Sequence, residues 1–282
     1  HPIDGHGAHR KFRRTGRRYF PRCRTRRDAD RRHHHPEQHR HHVWGGIFSY
    51  SNLTAVQAQI SNNTSEGAGG GLYFINTVLH LDRSTVASNS ASSSAGGVGV
   101  QDGTLSCYNE STIRENSADW GGGVYLNSGA IEGCELESNE ANYGGGIGIH
   151  AAEEFRLESL TVKENTAVHY GGGVYTNDVR GEMNSCLIEG NTAEYGGGMI
   201  VFGEESTIVL NEGKYLSNQA SENGGGIYFD MGYLEGNSID FGLVEQVNSP
   251  DDIGVYESNY SGLGEDRSFI CQDTSGVFSC SY

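Results

Sequence analysis

The few basic residues in an otherwise acidic stretch are the first candidates for chemistry. Residues 44–282 hold seven Lys and Arg against thirty-two Asp and Glu. Cleavage of a uronate polysaccharide by elimination needs a basic residue to remove a proton and several carboxylates that converge on calcium. The basic residues that could serve, without a partner that the sequence identifies, are Arg83, Arg156, Arg180, Lys214 and Arg267. A polysaccharide lyase or hydrolase is therefore one functional hypothesis.

Two further basic residues belong to a column in which the sign of the charge alternates. This column lies two positions before a recurring asparagine and consists of Arg114, Glu137, Lys163 and Glu189. Opposite charges on neighbouring strands stabilise a sheet by about 0.2–1 kcal/mol per pair. The pattern favours a structural charge ladder over a catalytic base.

Recurring aromatic residues point to binding instead of cleavage. They stand at the second position after a glycine run, at Phe48, Tyr73, Tyr125, Tyr175 and Tyr228. We expect them to face outward in a broken stripe, where aromatic rings stack on sugars or anchor a partner protein. The alternative is that they shield strand backbones or pack beneath loops.

The cysteines and acids suggest little further chemistry. Cys271 and Cys280 flank a turn-like sequence, which predicts a disulfide hairpin and an oxidising compartment. Cys134 and Cys186 occupy equivalent positions two repeats apart, roughly 9–10 Å by strand spacing, so we expect buried fillers and no disulfide between them. We expect no cofactor beyond loosely bound calcium, for which Asp251-Asp252 is one local pair.

A repeat of about 25 residues must position all of these side chains. Glycine pairs or triplets end at Gly46, Gly71, Gly97, Gly123, Gly146, Gly173, Gly198 and Gly226, in steps of 25, 26, 26, 23, 27, 25 and 28 residues. Each run is followed by a short alternating strand whose first and third residues share an inward face. Glycine triplets at this spacing would break an amphipathic helix.

A second column marks the other side of each repeat. The motif Asn-x-Ala begins at Asn89, Asn116, Asn139, Asn165, Asn191 and Asn218. We expect an inward ladder of amides, each hydrogen-bonded to the one above and to turn backbone. With a weaker middle strand, this predicts an all-β fold: a right-handed parallel β-helix (a solenoid) of about eight rungs, with three short strands per rung.

The repeat resembles that of polymorphic outer membrane proteins and related bacterial surface β-helices. The likeness is clearest in Asn116–Tyr125, Asn165–Tyr175 and Asn218–Tyr228 and covers about residues 44–230. The resemblance implies an extracellular or outer-membrane location and an adhesive or structural role. Nothing in the sequence resembles the C-terminal membrane barrel of autotransported members, which puts that route of anchoring in doubt.

The two ends differ from the repeat. Residues 1–43 hold thirteen Lys and Arg and nine His. They could be a disordered polycation, a transition-metal site at His33–His35, His39, His41 and His42, or, as we prefer, an off-frame or truncated start. We interpret 44–230 as the repeat and 231–282 as a C-terminal cap.

The sequence thus predicts a secreted or outer-membrane bacterial β-helix with a structural and adhesive role. The expected partner is an extracellular glycan or a host or cell-surface protein, with no specific nucleic acid and no transmembrane segment. We expect a monomer.

Overall fold

A computed structural model describes residues 44–150, 152, 154–243, 246–255, 258–260, 267–273 and 278–281. All regular elements in these residues are β-strands. They belong to one compact unit. The predictions about residues 1–43, including the histidine cluster, lie outside the described residues.

Two strands of each rung follow the glycine run. The glycine strands are Ile47–Ser49, Leu72–Ile75, the first parts of Val98–Tyr108 and Val124–Glu132, then Ile147–His150, Val174–Asn177, Met199–Phe202, Ile227–Phe229 and Ile253–Val255. The middle strands are Leu53–Val56, Val78–Asp82, the second parts of the same two long strands, then Phe155–Glu158, Arg180–Asn184, Thr207–Asn211 and Tyr233–Ile239.

Two shorter strands flank the asparagine. The pre-Asn strands are Gln59–Ser61, Thr85–Ala87, Thr112–Arg114, Glu135–Glu137, Thr161–Lys163, Leu187–Glu189 and Lys214–Leu216. The post-Asn strands are Thr64–Ser65, Ser90–Ala91, Ser117–Trp120, Glu140–Tyr143, Thr166–Tyr170, Thr192–Tyr195 and Gln219–Asn223.

Successive rungs pair in parallel and in register. Along the glycine strands, Val124 pairs with Ile147, Ile147 with Val174, and Val174 with Met199. The glycine and middle strands form one sheet, and the pre-Asn and post-Asn strands form two more. The predicted parallel β-helix of about eight turns is confirmed.

The post-Asn strand is the part of the rung that the sequence did not predict. It begins directly after the asparagine, where Asn-x-Ala suggested only a turn, and it stacks Ala118 on Ala141 across rungs. A rung therefore contains four strand segments in three sheets, because the glycine and middle segments share one sheet.

Apolar columns fill the interior of the coil. The first residues of the glycine strands from the second rung to the eighth are fully buried: Leu72, Val98, Val124, Ile147, Val174, Met199 and Ile227. The glycine runs bring adjacent rungs together at the corner before these strands. A Cβ on Gly172 would lie 2.4 Å from the carbonyl oxygens of Gly197 and Thr192, so only glycine permits this approach.

The asparagine column forms a continuous buried ladder. The amide Nδ2 of each asparagine donates to Oδ1 of the next, at 2.9–3.0 Å, from Asn63 through Asn89, Asn116, Asn139, Asn165, Asn191 and Asn218 to Asn248. Each backbone N–H of the column from Asn63 to Asn218 also donates to the next Oδ1. The ladder thus satisfies buried polar groups that would otherwise destabilise the coil.

The acidic pair Asp251 and Asp252 lies at the end of this ladder and is buried. Asn248 Nδ2 donates to Asp252 Oδ1 at 3.0 Å, and the backbone N–H of Gly224 donates to Asp251 Oδ1 at 2.8 Å. Burial raises the pKa of Asp251. The pair therefore lies buried at the end of the ladder, and loosely bound calcium stays a prediction.

Antiparallel strands follow the last parallel one, Ile253–Val255. They are Ser258–Tyr260, which pairs with it, and Arg267–Asp273 and Phe278–Ser281, which pair with each other. Cys271 and Cys280 are joined by a disulfide across the latter pair. The turn between these strands lies outside the described residues.

One cysteine prediction is wrong. Cys134 is bonded to Cys107 of the preceding rung, with their Cα atoms 4.8 Å apart. Cys107 does not occupy the position of its rung that is equivalent to Cys134. It is offset along the rung, and this offset brings the two cysteines together at the distance of one strand spacing. Cys186 is a free, buried thiol, and burial raises its pKa to about 11.

Candidate functional site

Four aromatic residues form an in-register column on one corner of the coil. Trp120, Tyr143, Tyr170 and Tyr195 each end a post-Asn strand and directly precede a glycine triplet. Trp120 pairs with Tyr143, Tyr143 with Tyr170, and Tyr170 with Tyr195. We call these four residues the aromatic stripe.

The rings of the aromatic stripe overlap along the coil axis. Trp120 and Tyr143 stack with centroids 4.3 Å apart and planes at 19°. Tyr143 and Tyr170 are 6.0 Å apart at 24°, and Tyr170 and Tyr195 are 5.6 Å apart at 32°. All four side chains are half-buried, so each remains partly open to solvent.

Buried residues of the glycine strands support the stripe from below. Tyr175, Ile200 and Tyr228 form a small apolar cluster against which the stripe packs. Tyr175 meets Trp120 edge-on at 5.3 Å, a favoured aromatic geometry. Burial raises the pKa of Tyr175 to about 12, while a hydrogen bond from Asn177 acts in the opposite direction. The stripe therefore rests on a packed floor that restricts its ring orientations.

Two of the five residues of the predicted stripe, Tyr175 and Tyr228, belong to this floor and not to the outer surface. Tyr73, Tyr175 and Tyr228 are 9%, 4% and 7% exposed. Phe48 and Tyr125 are half-buried. The column is interrupted at Gly99, Gly148 and Ile200. The packing matches the alternative that these residues lie beneath other groups, and their role in binding stays a prediction.

Phe48 and Tyr73 belong to a second aromatic group near the first rung. Trp44 lies 4.5 Å from the ring of each. Trp44 precedes a glycine pair just as Trp120 precedes a triplet. An aromatic residue directly before a glycine run is therefore the sequence signal that would have predicted the stripe.

Polar side chains run along one edge of the aromatic stripe. They stand one position before the four stripe residues and are Asp119, Asn142, His169 and Glu194. Asn142 Nδ2 donates to Asp119 Oδ1 at 2.6 Å, and His169 Nδ1 lies 3.1 Å from Glu194 Oε2. His169 also contacts Tyr143, with ring centroids 5.8 Å apart. This edge supplies hydrogen-bonding groups beside the rings.

A groove on the outer face of the middle strands is the second candidate site. It is lined by Arg156, Arg180, Glu182 and Glu205, among others. Arg156 forms ion pairs with Glu158 and Glu182, and Arg180 lies 4.0 Å from Glu205. The groove has the charges that a uronate-cleaving site would need, but its arginines already have carboxylate partners.

Ion pairing also occupies two of the three remaining candidate bases. Arg83 pairs with Asp82 and Lys214 with Asp240, while the Arg267 side chain lies outside the described residues. In the charge ladder, Lys163 contacts Glu135 at 2.7 Å and Glu137 at 3.5 Å, and Arg114 contacts Glu115. The hydrogen bond to Glu135 is the main cause that raises the pKa of Lys163.

The carboxylates do not converge on a metal in the part of the chain that the structure covers. Among those residues, no group of three or more His, Cys, Asp or Glu is placed to hold an ion. None of the described residues forms a helix with the length and apolar character needed to cross a membrane.

Comparison with known families agrees with this geometry. Residues 45–213 match the family model of the right-handed β-helix region, which is more than half of the chain, so the chain belongs to this family. The match confirms the predicted right-handed parallel β-helix. No curated protein and no solved structure matches the chain.

Proposed function

We propose that this chain is an adhesive β-helix of a bacterial surface and that it binds an extracellular glycan along the aromatic stripe. In this proposal the chain is secreted or held at the outer membrane, like the polymorphic outer membrane proteins. The observation that carries the proposal is the continuous, half-exposed column of Trp120, Tyr143, Tyr170 and Tyr195 on a buried floor. Ring orientations that are fixed before binding lower the entropy lost on association.

The shape of the stripe suits an extended carbohydrate. It offers one ring per rung over four successive rungs, parallel to the coil axis. Aromatic edges make apolar contact with sugar rings, and phenols exchange hydrogen bonds with sugar hydroxyls. The post-Asn backbones are paired on both sides within the sheet, so a peptide cannot add there as a further strand.

A glycan array would test the proposal. The wild-type chain should bind a defined set of extracellular glycans, and the Tyr143→Ala, Tyr170→Ala double variant should lose roughly 5- to 150-fold in affinity, because each ring contributes roughly 0.5–1.5 kcal/mol. Tyr50→Ala is the matched control, since Tyr50 is 70% exposed and lies outside the stripe. Unchanged binding by the double variant, or binding only to a cell-surface protein, would contradict the proposal.

The groove beside Arg156 and Arg180 supports the second candidate, a polysaccharide lyase or hydrolase. A lyase acting on polygalacturonate with calcium would release unsaturated products that absorb in the ultraviolet. Because the arginines are ion-paired, we expect no such products from the wild-type chain. Products that disappear in Arg180→Ala would replace the binding proposal with the enzymatic one.

A further inference from the structure

Charges are segregated around the coil. The Lys and Arg residues whose side chains the structure describes lie on pre-Asn strands, on middle strands or, for Arg83, in the turn after a middle strand. On the glycine and post-Asn strands, which carry the aromatic stripe and its floor, the described sequence contains neither Lys nor Arg. The described Lys and Arg side chains thus lie on the faces away from the stripe, and His169 is the basic side chain on the stripe's own edge.

Negative charge is not excluded from the stripe. The post-Asn strands carry Asp119, Glu140, Glu194 and Glu222. Burial raises the pKa of Tyr170, and the nearby carboxylates of Glu194 and Asp230 raise it further. The stripe is therefore a π-rich surface in a negative field.

We propose that the aromatic stripe selects glycans that carry positive charge, namely polymers of amino sugars with free amines, over neutral and uronate-containing ones. This inference rests on the proposed function. An ammonium group beside the stripe gains Coulomb attraction from the carboxylates of Asp119 and Glu194. A uronate would face the same carboxylates with like charge and would be rejected.

Oligosaccharides of glucosamine, of N-acetylglucosamine and of galacturonate would test the inference by calorimetry on the full chain. The first two share a backbone and differ in the amine charge. The amine form should bind roughly tenfold more tightly than the acetylated form, and the difference should shrink in high salt. The galacturonate oligomer should bind least.

Charge-neutralising variants provide the matched comparison. Asp119→Asn with Glu194→Gln should remove most of the preference for the amine form, because the two carboxylates that attract the ammonium group are then neutral. Glu189→Gln removes one acid from a pre-Asn strand on another face and should change neither affinity.

The outcomes separate this inference from the proposed function. Equal, salt-independent binding of the amine and acetylated forms would overturn the charge selectivity and leave glycan binding intact. Tighter binding of oligolysine than of the glucosamine oligomer would make the partner a basic peptide and also overturn it. Binding of no oligosaccharide would reject both.

Discussion

Replacing Asn165 with Ala should lower the free energy of unfolding by about 4 kcal/mol. Asn165 Oδ1 accepts hydrogen bonds from the backbone N and the Nδ2 of Asn139, both at 2.9 Å. Its Nδ2 donates to the carbonyl oxygen of Leu136 at 3.1 Å and to Asn191 Oδ1 at 3.0 Å. Alanine leaves several of these partners buried and unsatisfied in the centre of the coil.

Urea unfolding followed by circular dichroism would measure this loss. Asn142→Ala is the control, because Asn142 is half-buried and makes a single side-chain hydrogen bond, to Asp119. It should cost about 1 kcal/mol or less. Equal losses in the two variants would show that the ladder does not stabilise the coil as described.

Removal of the Cys107–Cys134 disulfide should cost about 3 kcal/mol. The bond joins adjacent rungs across a sequence separation of 27 residues, and loops of this size lose a few kcal/mol of stabilisation when the cross-link is cut. Both sulfurs are also buried, so a Cys107→Ala, Cys134→Ala variant loses packing as well. The midpoint of urea unfolding should fall accordingly.

Two controls separate the cross-link from its side chains. Cys186→Ala removes a buried free thiol and should cost only the packing contribution, about 1 kcal/mol. Cys271→Ala with Cys280→Ala removes the other disulfide, so adding reductant to that variant reports on Cys107–Cys134 alone. If reductant left its stability unchanged, the cross-link would not contribute.

The sequence predicted those features of the fold that repeat at a fixed position in every rung. Glycine runs and Asn-x-Ala recur because close approach at one corner and amide bonding at another constrain each rung separately. The columns that contain Val124 and Asn165 could therefore be predicted from the sequence alone.

Features that depend on the offset between neighbouring rungs could not be predicted from the repeat pattern. Cys107 meets Cys134 only because the two residues occupy different points of neighbouring rungs. Tyr175 looked exposed because strand alternation turns it outward, yet Trp120, at the end of a different strand, packs over it. The stripe itself lay on a strand that the sequence had not suggested.

Fluorescence of Trp120 during titration with the glucosamine oligosaccharide tests the account most directly. The chain contains two tryptophans, so Trp44→Phe leaves Trp120 of the aromatic stripe as the sole reporter. We expect a saturable change in Trp120 emission whose midpoint equals the calorimetric Kd. Saturable binding with unchanged Trp120 emission would place the ligand elsewhere on the coil and contradict the assignment of the stripe as the binding surface.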